Sequence, residues 1–310
     1  MENMNHTVNN TPVETVEAVN ANAKQSRVKG LRMPYEKPWA QAIILGIVIF
    51  CLLFSFLPLF LTVVNAFKLD DQVKVDAFSL PLFSTIAEAT DRNFSRAWEV
   101  LSPYYGKTIL VALIGAIFET GLSALLAYIL VVKNFFFKEF IFMLFISVLL
   151  VPSIIGYPIL IPLVRDTFKV GDTYFGYLLP MIGGAQVTGM FLFRTFFSQQ
   201  PKSLYESARL DGANDVVLFT KITLPLALPI VLYHFVGCFS GIYNEYLWAS
   251  LIMDTNQTVT TIMHSVVASG EIKYGAAYAM YLISSLPLIV TTIISMKYFK
   301  SGEFAAGLKL

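Results

Sequence analysis

The stretch Ala42-Ile-Ile-Leu-Gly-Ile-Val-Ile-Phe-Cys-Leu-Leu-Phe-Ser-Phe-Leu-Pro-Leu-Phe-Leu-Thr-Val-Val64 runs for 23 residues without a charge. About 20 apolar residues of α-helix are needed to cross the hydrocarbon core of a bilayer. The run exceeds the apolar region of a signal peptide, and no small-x-small cleavage site follows it. It therefore predicts a retained membrane span.

Five further apolar segments follow this first one, and none alternates polar and apolar residues as a barrel strand does. The whole chain is 56% hydrophobic and 14% charged, against about 25% charged residues in a soluble domain. The sequence thus predicts an all-α membrane protein with six transmembrane helices. We expect the spans at roughly 40–65, 107–132, 140–164, 174–197, 222–252 and 275–297.

The fourth and fifth of these spans are interrupted by helix-breaking or polar residues. The fourth holds Gly183, Gly184 and Gln186, which indicate either close helix packing or a cavity wall. The fifth holds Pro225 and Pro229 and is either longer than one span or kinked.

The distribution of basic residues predicts the orientation of the chain. With the N-terminus inside, the cytoplasmic segments hold 14 of the 22 Lys and Arg residues, which places both termini in the cytoplasm. We expect a polar, disordered cytoplasmic tail at 1–38, a membrane domain at 39–300 and a cytoplasmic tail at 301–310. Within the membrane domain we expect an outer-face insertion at about 66–106 and a cytoplasmic loop at about 198–221.

The loop at 198–221 carries the signals of a short helix. Ser203 and Glu206 have the spacing of a capping box, in which each side chain satisfies a backbone amide of the first turn. Gly212 is expected to end the helix, and Asn214 or Asp215 to cap the next one. By shape alone, an ordinary amphipathic helix at the membrane surface would explain this pattern.

The residues themselves are more specific than the shape. Pro201-x-Ser-Leu-x-Glu-Ser-Ala-x-x-Asp-Gly-Ala, followed by Ile222-x-Leu-Pro225, resembles the EAA loop of ABC import permeases, with Ser207 at the middle alanine. Tyr243-Asn-Glu-Tyr-Leu-Trp248 is similar to a segment of the MalG-like permeases, which import oligosaccharides. The resemblance covers roughly residues 35–300, whereas the end of the chain departs from the family pattern.

This resemblance implies the type I ABC importer permease fold, in a bacterial plasma membrane. The EAA helix would couple the permease to a separate ATPase. The implied partners are a second, MalF-like permease, two ATPase subunits, an extracellular sugar-binding protein and membrane lipid, without nucleic acid. The coupling residues carried over from the family motif are Ser203, Glu206, Ser207, Ala208, Arg209, Asp211 and Gly212.

The chain is expected to be a transport subunit and not an enzyme. Its one Gly-Lys pair, Gly106-Lys107, has no glycine five positions earlier, so the chain lacks a Walker A loop. ATP and Mg²⁺ are therefore expected on the partner ATPase, and no cofactor on this chain.

Ionisable residues at membrane depth usually face a cavity or a partner, because burying them in lipid is costly. We expect the translocation path to involve Tyr243, Asn244, Glu245, Tyr246 and Glu119, whose amide, carboxylate and aromatic groups suit a sugar. Alternatively, Glu245 hydrogen-bonds to a neighbouring helix or to the partner permease.

Two other classes of function stay open at this point. A stand-alone, proton-coupled secondary transporter would use Glu119 and His234, although their distance is not given by the sequence. A membrane-embedded enzyme is the other class, but the chain has no His-Glu-x-x-His pattern. Cys51 and Cys238 are interpreted as small apolar core residues, and no metal site is predicted.

Overall fold

The computed structural model describes residues 38–184 and 186–299. The tails predicted at 1–38 and 301–310 lie outside the described residues, apart from Pro38. The chain divides into two compact units, residues 1–60 and 61–310. The described part of the first unit is a single stretch of helix, and all further packing described below belongs to the second unit.

The described residues form helices joined by short turns. We number the α-helices in chain order. They are α1 (Pro38–Ala66), α2 (Asp70–Val75), α3 (Ile86–Val132), α4 (Lys138–Val148), α5 (Tyr157–Pro162), α6 (Tyr174–Gly184), α7 (Gln186–Phe197), α8 (Lys202–Leu210), α9 (Asp215–Val217), α10 (Leu224–Leu226), α11 (Leu228–Asn244), α12 (Leu247–Ile252), α13 (Val259–Ala268) and α14 (Tyr274–Phe299). A 3₁₀ turn at Ser153–Gly156 and π-helical segments at Leu163–Thr167 and Leu218–Thr223 join some of them.

Three helices are long and apolar enough to cross a membrane, namely α1, α3 and α14. Three further spans are possible, because in three bent pairs the two helical segments are long and apolar enough when they are counted as one. The described residues therefore contain up to six spans. These pairs are Lys138–Val148 with Ser153–Thr167, Tyr174–Gly184 with Gln186–Phe197, and Asp215–Leu226 with Leu228–Asn244. The all-α fold with six predicted spans is confirmed.

The second span is much longer than predicted. Helix α3 has 47 residues and begins at Ile86 instead of near 107. Its first half has a buried residue at every fourth position, at Ala89, Asn93, Ala97 and Leu101, which is the spacing of one helix face. Asn93 donates its side-chain amide to the carbonyls of Ala66 and Lys68, at 2.9 and 2.8 Å. The polar residues on the other face concealed this helix in the sequence.

Helix α3 is the central element of the second unit. It packs against α7, α11 and α14, and also against α6 and α13. Small residues on its buried face, such as Ala112, Ala116 and Ala124, allow close approach of the neighbouring helices. Three clusters of buried side chains follow the helix, and one of them continues to Ala227 and Leu218 near the predicted loop helix.

The third and fifth predicted spans are sharply bent. The two halves of the third make an angle of 91°, and those of the fifth an angle of 84°. In the fifth, Pro229 lacks an amide hydrogen, and Ala227, two residues before it, has a ψ of 7°, outside the helical region. Of the two sequence alternatives for this span, the kink is therefore the one observed, with a second break at Glu245 before α12.

The turn before α6 is held by one aspartate. Asp172, with a φ of 53°, accepts hydrogen bonds from the backbone amides of Asp254, Thr255 and Asn256 at 2.9 to 3.0 Å. The Thr255 hydroxyl donates to the same carboxylate at 2.5 Å. These bonds, that from the Thr255 hydroxyl first, lower the pKa of Asp172 to about 2.

Candidate functional site: a loop helix and a cavity

The loop helix α8 begins differently from the sequence expectation. Pro201 occupies the N-cap position with extended backbone, no side chain caps the helix, and Ser203 already lies inside it. The predicted capping box between Ser203 and Glu206 is therefore wrong. The physical reason is that proline fixes φ and suits the start of a helix, so the chain turns into α8 before Ser203.

The end of α8 follows the prediction. Gly212 has a φ of +83°, its amide donates to the carbonyl of Arg209, and the amide of Ala213 donates to the carbonyl of Ala208. This pair of bonds is the Schellman motif, which satisfies the last carbonyls of a helix. Asn214 then caps α9 by accepting the amide of Val217 at 3.0 Å. Both the Gly212 stop and the Asn214 cap are confirmed.

One face of α8 is anchored to the rest of the second unit. Tyr205 and Ala208 pack against the buried cluster that includes Leu218 and Ala227. The Tyr205 hydroxyl lies 2.9 Å from the Thr223 hydroxyl and hydrogen-bonds to the side chain of Gln200. Sequence reasoning missed Tyr205, Gln200 and Thr223, although an aromatic residue three positions before Ala208 was a usable signal of an inward face.

The other face of α8 is open. Leu210 is 89% exposed and Leu204 is 43% exposed, which is unusual for leucines beside a packed cluster. Of the predicted coupling residues, only Ala208 is partly buried. The exposed ones are Ser203, Glu206, Ser207, Arg209, Asp211 and Gly212.

An ion-pair network connects this loop to the end of α3. Lys133 donates to the Asp215 carboxylate at 2.6 Å, and Arg209 lies 3.7 Å from the other oxygen. The hydrogen bond from Lys133 is the main reason why the pKa of Asp215 lies below its usual value. The sequence expectation named Asp215 only as a candidate cap, because Lys133 is 82 residues away in the chain.

The second feature is a cavity of about 1180 Å³ between the bent segments. Most of its wall is apolar, with a small number of polar groups. Among the residues that line it are Glu119, Tyr157, His234, Ser240, Glu245 and Thr291. Gly184 also lines it, and a Cβ atom added there would meet nothing within 4 Å. Of the two sequence alternatives for this glycine, the cavity wall is the one observed.

The residues proposed for the translocation path separate into two groups. Glu119 and Glu245 line the cavity. The hydroxyl of the buried Tyr243 instead donates to the carbonyl of Ser284 at 2.9 Å, and Tyr246 packs against the ring of His264. Asn244 is exposed and lies 3.4 Å from the Ser240 hydroxyl.

Glu245 itself forms the break between α11 and α12. Its carboxylate accepts the backbone amide of Trp248 at 2.8 Å, so it satisfies a free donor in the first turn of α12. A further bond from Glu245 to the partner permease stays a prediction. Trp248 packs against Tyr157 of α5, with ring centroids 5.3 Å apart.

The structure also brings together Glu119, His234 and Cys238. One potential ligand atom from each lies within 4.8 Å of the other two. Cys238 is buried in a hydrophobic core cluster, as the sequence predicts. Its proximity to Glu119 was not predicted, because the two residues are too far apart in sequence for spacing to reveal it. Cys51, in contrast, is exposed on α1, so its interpretation as a core residue is wrong.

Comparison with a protein-family model gives a match to the "Binding-protein-dependent transport system inner membrane component" over residues 119–302. The match covers more than half of the chain. It includes α8, the bent segments and all three residues of the buried cluster.

Individual relatives are similar over most of their length. The inner membrane ABC transporter permease protein YcjP of Escherichia coli is 25% identical over 85% of this chain and 94% of its own. The trehalose/maltose transport system permease protein MalG of Thermococcus litoralis is 29% identical over 66% of this chain and 75% of its own. The sn-glycerol-3-phosphate permease UgpE of Pectobacterium atrosepticum is 30% identical over 63% and 70%.

The fold is also found among solved structures. A chain of a bacterial ABC transporter involved in the import of the acidic polysaccharide alginate matches with a TM-score of 0.69 and 20% identity, over 87% of this chain and 99% of that one. A second structure, of a bacterial alginate ABC transporter with a pentasaccharide-bound periplasmic protein, matches with a TM-score of 0.56 and 17% identity, over 84% and 94%. With the family match over α8 and the bent spans, these likenesses lead to one conclusion: the chain belongs to the family of binding-protein-dependent transport system inner membrane components, the permease subunits of ABC importers.

Proposed function

We propose that this permease serves an ATP-driven, binding-protein-dependent importer of sugars, with an oligosaccharide or polysaccharide fragment as cargo. The name of one relative supports this class of cargo, because it is a permease for trehalose and maltose, which are disaccharides. Alginate, the cargo of the structural neighbours, is a chain of sugar units. Helix α8 is the coupling helix of the proposed importer.

The main observation behind this proposal is that one face of α8 packs against the second unit while the opposite face is exposed. Tyr205 and Ala208 fix one face to the second unit, whereas Leu210, Glu206 and Arg209 stand on the exposed face. Leu204 and Leu210 leave apolar surface exposed beside these charged side chains, and we assign this surface to the contact with an ATPase subunit. A short, stiff helix of this kind transmits displacement from a docked ATPase to the helices that hold it.

The proposed assembly contains a second homologous permease, two ATPase subunits and an extracellular binding protein. ATP and Mg²⁺ bind to the ATPase subunits, and this chain supplies no catalytic residue. We propose the same orientation as the sequence indicates, with α8 and both termini in the cytoplasm and the segment at 66–106 on the outer side. This orientation puts the exposed face of α8 where an ATPase can reach it.

The cavity is the proposed sugar path on this subunit. Its volume of about 1180 Å³ is somewhat larger than the roughly 300–1,000 Å³ of small-molecule sites, which suits a cargo of several sugar rings. Glu245 offers acceptor groups, and Tyr157 presents a ring on which a sugar face can stack. Tyr243, Asn244 and Tyr246 hold the helix break that directs Glu245 towards the cavity.

Glu119 and His234 lie close together, as a proton-coupled transporter that passes protons between them would require. That alternative, however, gives no role to the anchored helix α8 or to the ion pairs between Lys133, Arg209 and Asp215. Family membership likewise favours the ATP-driven importer. We therefore keep ATP as the proposed source of energy.

The proposal is tested by purifying the tagged chain, co-expressed with the products of its neighbouring genes, in mild detergent. We expect a second permease and an ATPase to co-purify, with ATPase activity that rises when the sugar-loaded binding protein is added. In proteoliposomes, Glu206→Ala is expected to lower uptake about tenfold, equivalent to about 1.4 kcal/mol of activation free energy.

The matched control is Glu88→Ala, which removes an exposed glutamate from α3, far from α8 in the chain. It should leave uptake and ATPase activity unchanged. Normal uptake by Glu206→Ala at a normal yield of complex would contradict the coupling role of α8. Transport by the chain alone without ATP would contradict the importer itself.

A further inference from the structure

The buried cluster of Glu119, His234 and Cys238 has a composition that sugar transport does not require. Glu119 comes from α3, and the other two come from successive turns of α11. Each side chain is more than nine-tenths buried, with 4%, 7% and 7% of its residue exposed. All three nevertheless line the cavity, so a small solute in the cavity can reach them.

The distances within the cluster approach those of a tetrahedral metal site. Zinc binds sulfur at about 2.3 Å and nitrogen at about 2.0–2.1 Å, so neighbouring ligands are about 3.3–3.8 Å apart. The Cys238 sulfur lies 3.3 Å from Nδ1 of His234. One Glu119 oxygen lies within 4.8 Å of that sulfur and of a ring nitrogen of His234.

The surroundings hold the imidazole ring in position. The Phe193 ring packs against the imidazole with centroids 5.1 Å apart. Thr120 Oγ1 lies 3.3 Å from Nδ1 of His234, a contact that a cation bound at this nitrogen would replace. On the other side the ring lies against Gly189, where an added Cβ atom would come within 2.3 Å of Nε2. Glycine at this position therefore makes room for the ring, and a longer side chain would displace it.

The donor atoms select a class of cation. A thiolate, an imidazole and a carboxylate suit Zn²⁺ and similar divalent transition metals, whereas Mg²⁺ and Ca²⁺ prefer oxygen ligands alone. When one divalent cation displaces the protons of the carboxylic acid and the thiol, the site carries no net charge. Such neutrality matters because an uncompensated charge at this depth is costly.

We propose that Glu119, His234 and Cys238 form a three-ligand site for a zinc-class divalent cation, with a fourth position that opens into the cavity. Three protein ligands and one open position are the arrangement of an accessible zinc site, as opposed to a closed structural one. The bound cation links α3 to α11 and leaves one coordination position for water or a solute. This site does not depend on which cargo the permease carries.

The test uses Co²⁺ as a spectroscopic probe of the full-length chain in lipid nanodiscs, purified with a tag that lacks histidine and cysteine. We expect one equivalent of Co²⁺ to give a thiolate-to-cobalt charge-transfer band in the near ultraviolet. Strong visible bands of tetrahedral cobalt should accompany it. Zn²⁺ should abolish both signals by displacement, and Mg²⁺ should not.

Two cysteine variants make the assignment specific. Cys238→Ser is expected to lose the charge-transfer band, whereas Cys51→Ser, which removes the other thiol of the chain, should keep it. Glu119→Gln should keep the shape of the site but weaken Co²⁺ binding by about tenfold or more, since loss of even a second-shell partner costs about that much.

Thermal unfolding provides a second measurement that does not rely on the cysteine variant. Zn²⁺ should raise the unfolding midpoint of the wild-type chain and of Cys51→Ser, because a ligand that binds only the folded state stabilises it. It should have little effect on Glu119→Gln. The proposal is overturned if folded wild-type chain shows no thiolate band, or if the band disappears with Cys51→Ser and persists with Cys238→Ser.

Discussion

Gly212 allows the chain to leave α8 at a fixed angle. Its φ of +83° lies in the left-handed region, where residues with a Cβ atom are strained. A Cβ atom at this position would meet nothing within 4 Å, so a substitution acts through the backbone alone. A substitution at Gly212 therefore tests how much the stability of the end of α8 depends on backbone conformation, without a contribution from side-chain clashes.

We predict that Gly212→Ala speeds amide hydrogen exchange at the end of α8 by about 5- to 30-fold, which corresponds to 1–2 kcal/mol of local strain. The amide of Ala213, bonded to the carbonyl of Ala208, is the one to follow. Gly212→Asn is the matched control, because asparagine tolerates the left-handed region better than alanine. Equal exchange rates in the two variants would show that the turn does not constrain α8.

Asp172 is expected to make stability depend on acid pH. Because its pKa is lowered to about 2 in the folded chain, from an ordinary value near 4, its contribution is fully present above that ordinary value. The contribution is lost as the pH falls from about 4 through about 2. Asp172→Asn should lower the thermal midpoint by a few degrees at pH 7, and this difference should shrink with acidification.

The measurement is thermal unfolding of both proteins in detergent between neutral pH and pH 3. Asp91→Asn, at an exposed position of α3, serves as the control and should match the wild type throughout. A difference between Asp172→Asn and the wild type that stays constant with pH would mean that the charge of Asp172 does not hold the turn.

The sequence was sufficient to predict features that depend on contacts between residues close together in the chain. The Gly212 stop and the Asn214 cap depend on residues within three or four positions, and both were predicted. The predicted capping box is wrong because Pro201, two residues before Ser203, takes the N-cap position. The contact of Glu119 with His234 and Cys238 joins residues more than 100 positions apart, and no spacing rule applies to it.

At the scale of elements, the anchoring of α8 is the feature most open to test. Tyr205→Phe keeps the ring in its cluster but removes the hydroxyl that lies 2.9 Å from the Thr223 hydroxyl. We predict a loss of about 1 kcal/mol in the local stability of α8, and a smaller stimulation of ATPase activity in the assembled complex. Hydrogen exchange of α8 and the stimulated ATPase rate measure the two effects.

The control for this variant is Tyr281→Phe, which removes the hydroxyl of a largely exposed tyrosine on α14. It should change neither quantity. If Tyr205→Phe loosens α8 but leaves ATPase stimulation intact, anchoring and coupling are separate properties of the helix.

The helices also show which features hydropathy predicted and which it did not. Hydropathy located all six spans, because the length of an apolar run is a local property. It did not give the angles of 91° and 84°, since a bend depends on the cavity that the bent segments enclose. Nor did it give the early start of α3, because the charged side chains on the exposed face of residues 86–106 lower the hydropathy of this segment.

At the scale of the whole molecule, the proposed orientation places α8 and the turn before α14 on opposite sides of the membrane. Lys202 and Glu271 are both exposed and mark the two sides. We predict that, in a Cys51→Ser background, a membrane-impermeant thiol reagent labels Lys202→Cys only from the cytoplasmic side. Glu271→Cys should be labelled only from outside, in vesicles of known orientation.

Labelling of both variants from the same side would contradict the assignment of one span to the segment between α8 and α13. Labelling with the two sides exchanged would contradict the orientation alone and leave the number of spans intact. The buried thiol of Cys238 should react slowly in either case, and the parent protein without the new cysteines measures its background.

Helix α3 has a mechanical consequence that follows from its length. At about 1.5 Å per residue, its 47 residues form a rod about 70 Å long, more than twice the roughly 30 Å of a hydrocarbon core. One end leads into Lys133, which pairs with Asp215, and the length alone requires part of the helix to lie outside the hydrocarbon core. A tilt of only about 5° about one end moves the other by about 6 Å over this length, so the helix acts as a lever.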